Sequence, residues 1–428
     1  MYTIVEEKTE HAILIGLKTQ KSEKNWDRSF AELHNLAETA GVVVAGEMVQ
    51  SKLVSDPTFF IGKGKAEELK RMADLLEADV VIANQELTPV QIKNLEYIIG
   101  VKVIDRTQLI LHIFAERARS KEGKLQVELA QLKYLLPRLL GKGMDMSRLG
   151  GGIGAKGPGE TKLELDRRRI RDQIHRLEQE LKQIGNHRSL RTTRRSKSDI
   201  YTVAMVGYTN AGKSTLFKTL LEQYGQGDAE EGRNRLFDTL ETTTRKLTLP
   251  FLGDVILSDT VGFIQDLPHH LIQSFRSTLE EVVEADLLLH VVDASDPDWP
   301  EQAATVYQVL DDLKKQDRKV LTVFNKIDQL ETHEYGKEAL YDPNADRMQK
   351  ISAKEKLGLE ELAEQLTVLL EGSIQEYLIQ LPYEMGSQVR TIHASGQVLE
   401  ETYEESHMQI RVNMTKTKAQ KFLPFLVP

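Results

Sequence analysis
The chain has 428 residues, 40% of them hydrophobic and 28% charged, with a formal net charge of -9. A length of this order predicts roughly three domains with real cores and a soluble surface. With no cysteine, disulfides, thiolate nucleophiles and zinc-thiolate clusters are excluded, and the eleven histidines show no paired metal-ligand spacing.

The amino terminus, Met1 to Lys18, is interrupted by charges and lacks a leader pattern, and the longest apolar run, Leu287 to Val292, is too short to cross a bilayer. The expectation is a cytoplasmic protein with no membrane-spanning segment. Residues 1–120 alternate apolar strands (Ala12 to Leu17, Val42 to Val44, Val80 to Ala83, Val101 to Ile104) with helical stretches near Phe30 to Ala37, Ala66 to Leu76 and Pro89 to Ile99. This pattern predicts a small α/β domain. Gly62-Lys63-Gly64-Lys65 opens one of these helices, where backbone amides can meet a phosphate or merely form a turn.

Residues 121–196 read as an antiparallel helical hairpin. Leu125, Leu129, Leu132 and Leu136 recur at helical spacing before Pro137, and Leu163, Ile170, Ile174, Leu177, Leu181 and Ile184 recur at heptad-like intervals. The connection, 141–162, is rich in glycine. Between Lys133 and Lys197 there are 17 Lys and Arg against 7 Asp and Glu, a surplus of ten in an otherwise acidic chain. Glycine and basic residues without aromatics suit close approach to RNA phosphates rather than base stacking. Candidate RNA contacts are Gly150, Gly151, Gly152, Lys156, Gly157, Lys162, Arg167 and Arg168. A solvated loop above a charged helix face is the alternative.

Residues 197–372 carry four segments in the order that builds a guanine-nucleotide site. Gly207, Tyr208, Thr209, Asn210, Ala211, Gly212, Lys213 and Ser214 lie between an apolar strand (Tyr201 to Val206) and a helix-prone stretch (Thr215 to Leu221). There glycines let backbone amides wrap phosphates, Lys213 reaches the outer phosphates, and the Ser214 hydroxyl is placed to ligate Mg2+. Asp259, Thr260, Val261 and Gly262 end a second strand, where the carboxylate can hold the metal through water and the glycine amide can meet the terminal phosphate. Asn325, Lys326, Ile327 and Asp328 follow a third strand; Asp328 can accept both N1–H and the exocyclic amine of guanine, a donor pair that adenine lacks. Ser352, Ala353 and Lys354 can support the base from its other side. These motifs predict a P-loop domain with a mostly parallel sheet and helices on both faces, binding GTP or GDP with Mg2+. Residues 373–428 suggest a small α+β domain: a strand (Glu376 to Leu381), a helix (Gln388 to Glu400) and a strand (Gln409 to Val412).

Over essentially its whole length the chain resembles the bacterial HflX family of translational GTPases. The resemblance rests on Phe60-Ile61-Gly62-Lys63-Gly64-Lys65, Asp105-Arg106-Thr107, the Gly150 to Glu160 loop followed by Thr161 to Asp166, and the Gly207 to Ser214 loop. It implies binding to the large ribosomal subunit, stimulation of GTP hydrolysis by its RNA, and splitting of stalled or idle ribosomes under stress. It also implies that the hairpin loop reaches toward the peptidyl-transferase region. Phe237, Asp238, Thr239, Leu240 and Glu241 are similar to the family's first switch, and Thr239 would sense Mg2+ and the terminal phosphate. Where the family commonly has Asp and Pro this chain has Glu241 and Thr242, so Thr243 and Thr244 remain alternative sensors.

Lys213, Thr239 and Gly262 are therefore the expected catalytic set. Many GTPases place a glutamine after that glycine to orient the attacking water. Here Phe263 cannot, which predicts slow turnover alone and completion by a partner, unless Gln265 serves. Asn210 resembles the phosphate-loop Asn of GTPases that use potassium in place of an arginine finger, and K+ joins the expected cofactors. A monomer is the expected state. A ribosome-assembly or RNA-binding GTP switch without splitting activity is the second reading, and an RNA-modifying enzyme the third, though no second catalytic constellation is visible.

Overall fold
The computed structural model describes residues 9–19, 26–139, 158–195, 200–225, 243–260, 262–264, 280–313, 319–330, 340–404 and 406–427. The chain divides into two compact units, one built on Met1–Arg188, the other on Ser189–Gln265 and Arg276–Pro428. It is a multidomain α/β protein.

In the first unit, β1 (His11–Lys18), β2 (Val43–Ser51), β3 (Val80–Ala83) and β4 (Lys102–Asp105) form a parallel sheet in the order β2-β1-β3-β4. The connecting helices are α1 (Trp26–Thr39), α2 (Lys63–Leu75) and α3 (Pro89–Ile99). Thr88 caps α3 in a reciprocal box with Gln91, and Pro89 fits the first turn because it has no amide to satisfy there. The next helix, α4 (Arg106–Arg117), was not among the predicted elements, although Gln108, His112 and Glu116 recur at i, i+4 spacing on its outer side, opposite buried Leu109, Ile110, Ile113 and Phe114.

α5 (Lys121–Arg138) and α6 (Pro158–Arg195) are the two arms of the expected hairpin. The second arm starts earlier than its predicted loop allowed, since 158–162 are helical; Pro158 in the first turn favours that start. Gln173 donates to Glu128 at 2.7 Å and Lys133 pairs with Glu178 at 2.8 Å between the arms. The buried stripe of α5 is Gln126, Val127, Leu129, Ala130 and Tyr134, one position removed from parts of the predicted leucine row.

In the second unit a six-stranded sheet runs β10-β9-β8-β5-β7-β6. Its strands are β5 (Tyr201–Gly207), β6 (Thr243–Leu249), β7 (Gly253–Asp259), β8 (Leu287–Asp293), β9 (Lys319–Asn325) and β10 (Arg347–Lys350), parallel except for β6. Helices α7 (Lys213–Tyr224), α8 (Glu280–Glu284), α9 (Trp299–Asp312) and α10 (Leu359–Glu371) accompany it. Val203, Met205, Leu257, Leu289, Leu321 and Val323 face Leu216, Leu220, Leu362 and Leu366 in one core. The run that is too short for a membrane is thus a buried central strand, and no helix among the described residues is long and apolar enough to cross one.

The carboxy-terminal sheet has the order β12-β13-β11-β14, with β11 (Ile374–Pro382), β12 (Gly396–Tyr403), β13 (His407–Thr415) and β14 (Leu426–Val427). It corrects one expectation: the helix, α11 (Ser387–Ser395), stops at Ser395, and 396–403 pair antiparallel with β13 instead. Cross-strand pairing overrides a helical periodicity that has no packed face of its own. The last helix, α12 (Lys416–Ala419), brings Lys418 Nζ to the carbonyls of Phe251 (2.7 Å) and Leu252 (2.8 Å) in the β6–β7 turn.

Candidate nucleotide site
A parallel sheet delivers its loops to the carboxyl edge of its strands, the usual place for a ligand in such folds. Four of those loops hold the predicted segments. The first joins β5 to α7. Gly212 has φ 90, and a β-carbon there would collide with Asn325 Nδ2, so both conformation and space demand glycine. Asn210 also sits in the left-handed region, at φ 62, which Asn tolerates better than most residues. Tyr208, Thr209 and Ala211 are buried, and Ser214 is partly exposed at the start of α7.

Lys213 is buried, and its ammonium donates to Gly207 O (3.1 Å) and Tyr208 O (2.7 Å). Burial pulls its pKa down to about 8, against the attraction of the Asp259 carboxylate, which acts upward. Asp259 ends β7 directly opposite Met205 of β5 and is itself buried.

The segment after Asp259 is folded onto the phosphate loop by its backbone. Phe263 N donates to Gly207 O at 3.1 Å and Thr209 N donates to Phe263 O at 2.7 Å. A β-carbon on Gly262 would stand 2.9 Å from Thr209 Cγ2 and 3.0 Å from Lys213 Nζ, so glycine is what lets this strand end approach the lysine. Thr260 donates its hydroxyl to Met205 O at 2.5 Å and thereby fixes the end of β7 against β5. The Phe263 ring is buried with Ile264. Of the alternative switch threonines, Thr243 pairs with Asp259 in the β6–β7 ladder, and Thr244 Oγ1 lies 3.2 Å from both Ser258 Oγ and Glu281 Oε2.

Asn325 was predicted only as part of the base segment, and the structure gives it a further task. Its Nδ2 donates to Ala211 O and its Oδ1 accepts from Ala353 N, each at 3.0 Å, so one amide joins the phosphate loop to the base loop. Lys326, at φ 63, donates to Asp293 Oδ2 at 2.6 Å, and Ile327 N donates to Ile351 O. Asp328 lies in a short 3-10 turn, Ile327–Gln329, whose residues are not buried. Ser352 is fully buried and its Oγ accepts from Glu355 N, whereas the Lys354 side chain is exposed. Asp293 and Thr219 were not foreseen, although they position these loops; an isolated Asp or Thr has no signature until strands and helices bring it near.

The donor chemistry fits a nucleotide with a hard cation. Ser214 and Asp259 offer a hydroxyl and a carboxylate, oxygen donors suited to Mg2+, beside a cradle that two β-carbons would fill. Among the described residues no group of three or more His, Cys, Asp or Glu forms a separate metal site. Phe237, Asp238, Thr239, Leu240, Glu241 and Val261 lie outside the described residues, as do Gly150, Gly151, Gly152, Lys156 and Gly157. Of the remaining RNA candidates, Lys162 is in the first turns of α6, Arg168 is exposed, and Arg167 lies 3.7 Å from Glu164.

Three family models match the chain in series. They are described as the N-terminal region of GTP-binding GTPases (27–115), their middle region (117–195) and a 50S ribosome-binding GTPase (202–326). The GTPase HflX of Caldanaerobacter subterraneus subsp. tengcongensis is 46% identical over 98% of this chain and 94% of its own length. That of Alkalihalophilus pseudofirmus is 50% identical over 77% of each, and that of Escherichia coli 37% identical over 95% of this chain and 93% of its own. A solved GTP-binding protein from Sulfolobus solfataricus, in complex with GDP, is 24% identical with a TM-score of 0.45, covering 85% of this chain and 99% of that one.

Proposed function
The chain belongs to the HflX family of GTPases and hydrolyses GTP, and we propose from that membership that it acts on the large ribosomal subunit, where ribosomal RNA stimulates hydrolysis and the GTP-bound form splits stalled or idle ribosomes under stress. Such work belongs in the cytoplasm, and a monomer is sufficient for it. We take the working divisions to be 1–120, 121–196, 197–372 and 373–428.

In this reading the amides of Gly207 to Ser214 cradle the phosphates, and Lys213 leaves the carbonyls of Gly207 and Tyr208 for the outer phosphates. Ser214, Asp259 and Thr239 would hold Mg2+, which supplies charge neutralisation at the phosphates. Gly262 approaches the terminal phosphate through its amide. Asp328 reads the guanine edge, with Ser352, Ala353 and Lys354 on its far side. Asn210 supports a role for K+, which equal rates in potassium and sodium buffers would remove. The basic arm α6 and the glycine loop before it would meet RNA.

The observation that carries the partner-dependent part is Phe263. Its ring is buried and its backbone is committed to Gly207 and Thr209. The residue following the phosphate-sensing glycine therefore offers the attacking water nothing, and slow hydrolysis follows unless a partner positions that water.

The test is steady-state GTP hydrolysis by the protein alone and with isolated large subunits, in potassium buffer. Stimulation of about tenfold or more, at least about 1.4 kcal/mol of transition-state stabilisation, is expected. Binding without stimulation would favour the second reading, an assembly or RNA-binding switch that does not split ribosomes. Absence of both would remove the ribosome from the proposal.

A further inference from the structure
The base loop is docked on α7, the helix whose first turn carries Lys213 and Ser214. Thr219, 5% exposed, donates its hydroxyl to Ala353 O at 3.1 Å as well as to Thr215 O at 2.9 Å. One turn further on, Glu222 Oε2 meets Lys356 Nζ at 3.0 Å. Residues 215, 219 and 222 share one face of the helix by their spacing. The Ala353 peptide is thus fixed from both ends: its N–H by Asn325, which also holds Ala211 O, and its carbonyl by Thr219.

These two helix contacts are unequal. The Glu222–Lys356 pair is exposed on both sides, and water and salt leave such pairs little net effect. The Thr219 bond is buried, where removing the donor leaves a carbonyl desolvated. Its single proton is shared between two acceptors, but Thr215 O is also served by the helix's own backbone amide four residues on. Ala353 O has more to lose.

We propose that Thr219 is a positioning residue for guanine recognition: by holding Ala353 O against the phosphate helix, it sets the base loop relative to the phosphate loop. This deepens the guanine-site reading and rests on it. Thr219 touches neither base nor phosphate in this role; it acts through Ala353.

The experiment compares Thr219→Val, which keeps the shape and removes the donor, with Thr219→Ala, Thr219→Ser and Glu222→Ala in the full chain. Affinities for fluorescent GDP and ADP, kcat and KM for GTP, and thermal melting are measured together. For Thr219→Val and Thr219→Ala, the GDP Kd and GTP KM should rise about fivefold, the effect of one ordinary hydrogen bond. kcat should stay within about twofold and the preference for GDP over ADP should fall by the same fivefold. Thr219→Ser should restore wild-type values, and Glu222→Ala should leave them within about twofold. Unchanged preference in both donor-deleted variants would overturn the proposal, whatever the melting temperature does, because a helix back-bond alone would move only stability. Equal losses for GDP and ADP would overturn it too, assigning Thr219 to the phosphate helix. A wild-type protein that does not prefer GDP to ADP would instead sink the guanine-site reading itself.

Discussion

Among single residues, Lys213 ties the electrostatics of the site to its ligand. Held on two carbonyls in a buried position, its ammonium has a pKa that falls from 10.5 to about 8. The sign follows from linkage. Below about pH 8 the folded and unfolded chains both hold the proton and the burial penalty is full; as pH rises from about 8 toward 10.5 the folded chain sheds it first, and the nucleotide-free protein gains stability. Phosphate favours the charged form, so GDP binding at about pH 8.5 should take up a proton that binding near pH 7 does not. Calorimetry in two buffers of different ionisation enthalpy reads this directly, and zero uptake at the higher pH would show that Lys213 is already charged before the phosphates arrive. The phosphate loop itself was legible in the sequence because its chemistry is local: glycine, lysine and serine at fixed offsets need only the strand before and the helix after. Protonation was not, since it depends on burial that the letters do not carry.

Elements depend on pairings that lie far apart in sequence, and here the reading of the chain was partial. Strands β1, β3 and β4 and helices α1 to α3 were expected close to where they stand, because unbroken apolar runs and helical stretches are short-range signals. The end of the C-terminal helix was misjudged, since only pairing with β13 turns 396–403 into a strand. Asp105-Arg106-Thr107 stood out only through the family resemblance, and packing explains two of its members. Asp105 caps α4 at Gln108 N and receives Leu87 N and, at 3.3 Å, Arg138 Nη2. Burial raises its pKa, against those donors, which act downward. Arg106, 3% exposed, reaches Glu32 at 2.6 Å, Asn84 Oδ1 and Ser29 O at 3.1 Å, tying α1 and the end of β3 to α4. Arg106→Ala should cost about 3–5 kcal/mol, the usual penalty for removing one partner of a buried ion pair. Urea unfolding measures it; a loss below about 1 kcal/mol would mean that the junction relaxes or that water enters.

Over the molecule as a whole, charge is the long-range feature. The net of -9 conceals the basic middle segment, and α6 keeps several of its arginines at the surface, Arg168 and Arg169 among them. If that arm meets ribosomal RNA, replacing Arg168 and Arg169 by Glu should weaken co-sedimentation with large subunits. The salt slope of log affinity should fall in magnitude by roughly 1 for each phosphate that the arm no longer neutralises. An unchanged slope would move the RNA-binding surface elsewhere. The carboxy-terminal sheet, by contrast, is tied to the GTPase core by Lys418 on the β6–β7 turn and by Thr415 Oγ1 on Glu371 Oε2 at 2.5 Å.

Local pattern was enough for the family, the GTPase chemistry and the order of the nucleotide motifs, because two glycines, a lysine and a hydroxyl at fixed offsets suffice to name a phosphate loop. It was enough for the basic segment too, since charge is read by counting. Folding in three dimensions was needed to show that Asn325 and Thr219 grip the two ends of Ala353, that Thr260 faces Met205, and that Gly262 lies against Lys213. Those contacts join residues from 28 to 134 positions apart. A run of neighbouring letters carries no record of which distant carbonyl a buried hydroxyl or amide will find when the sheet closes.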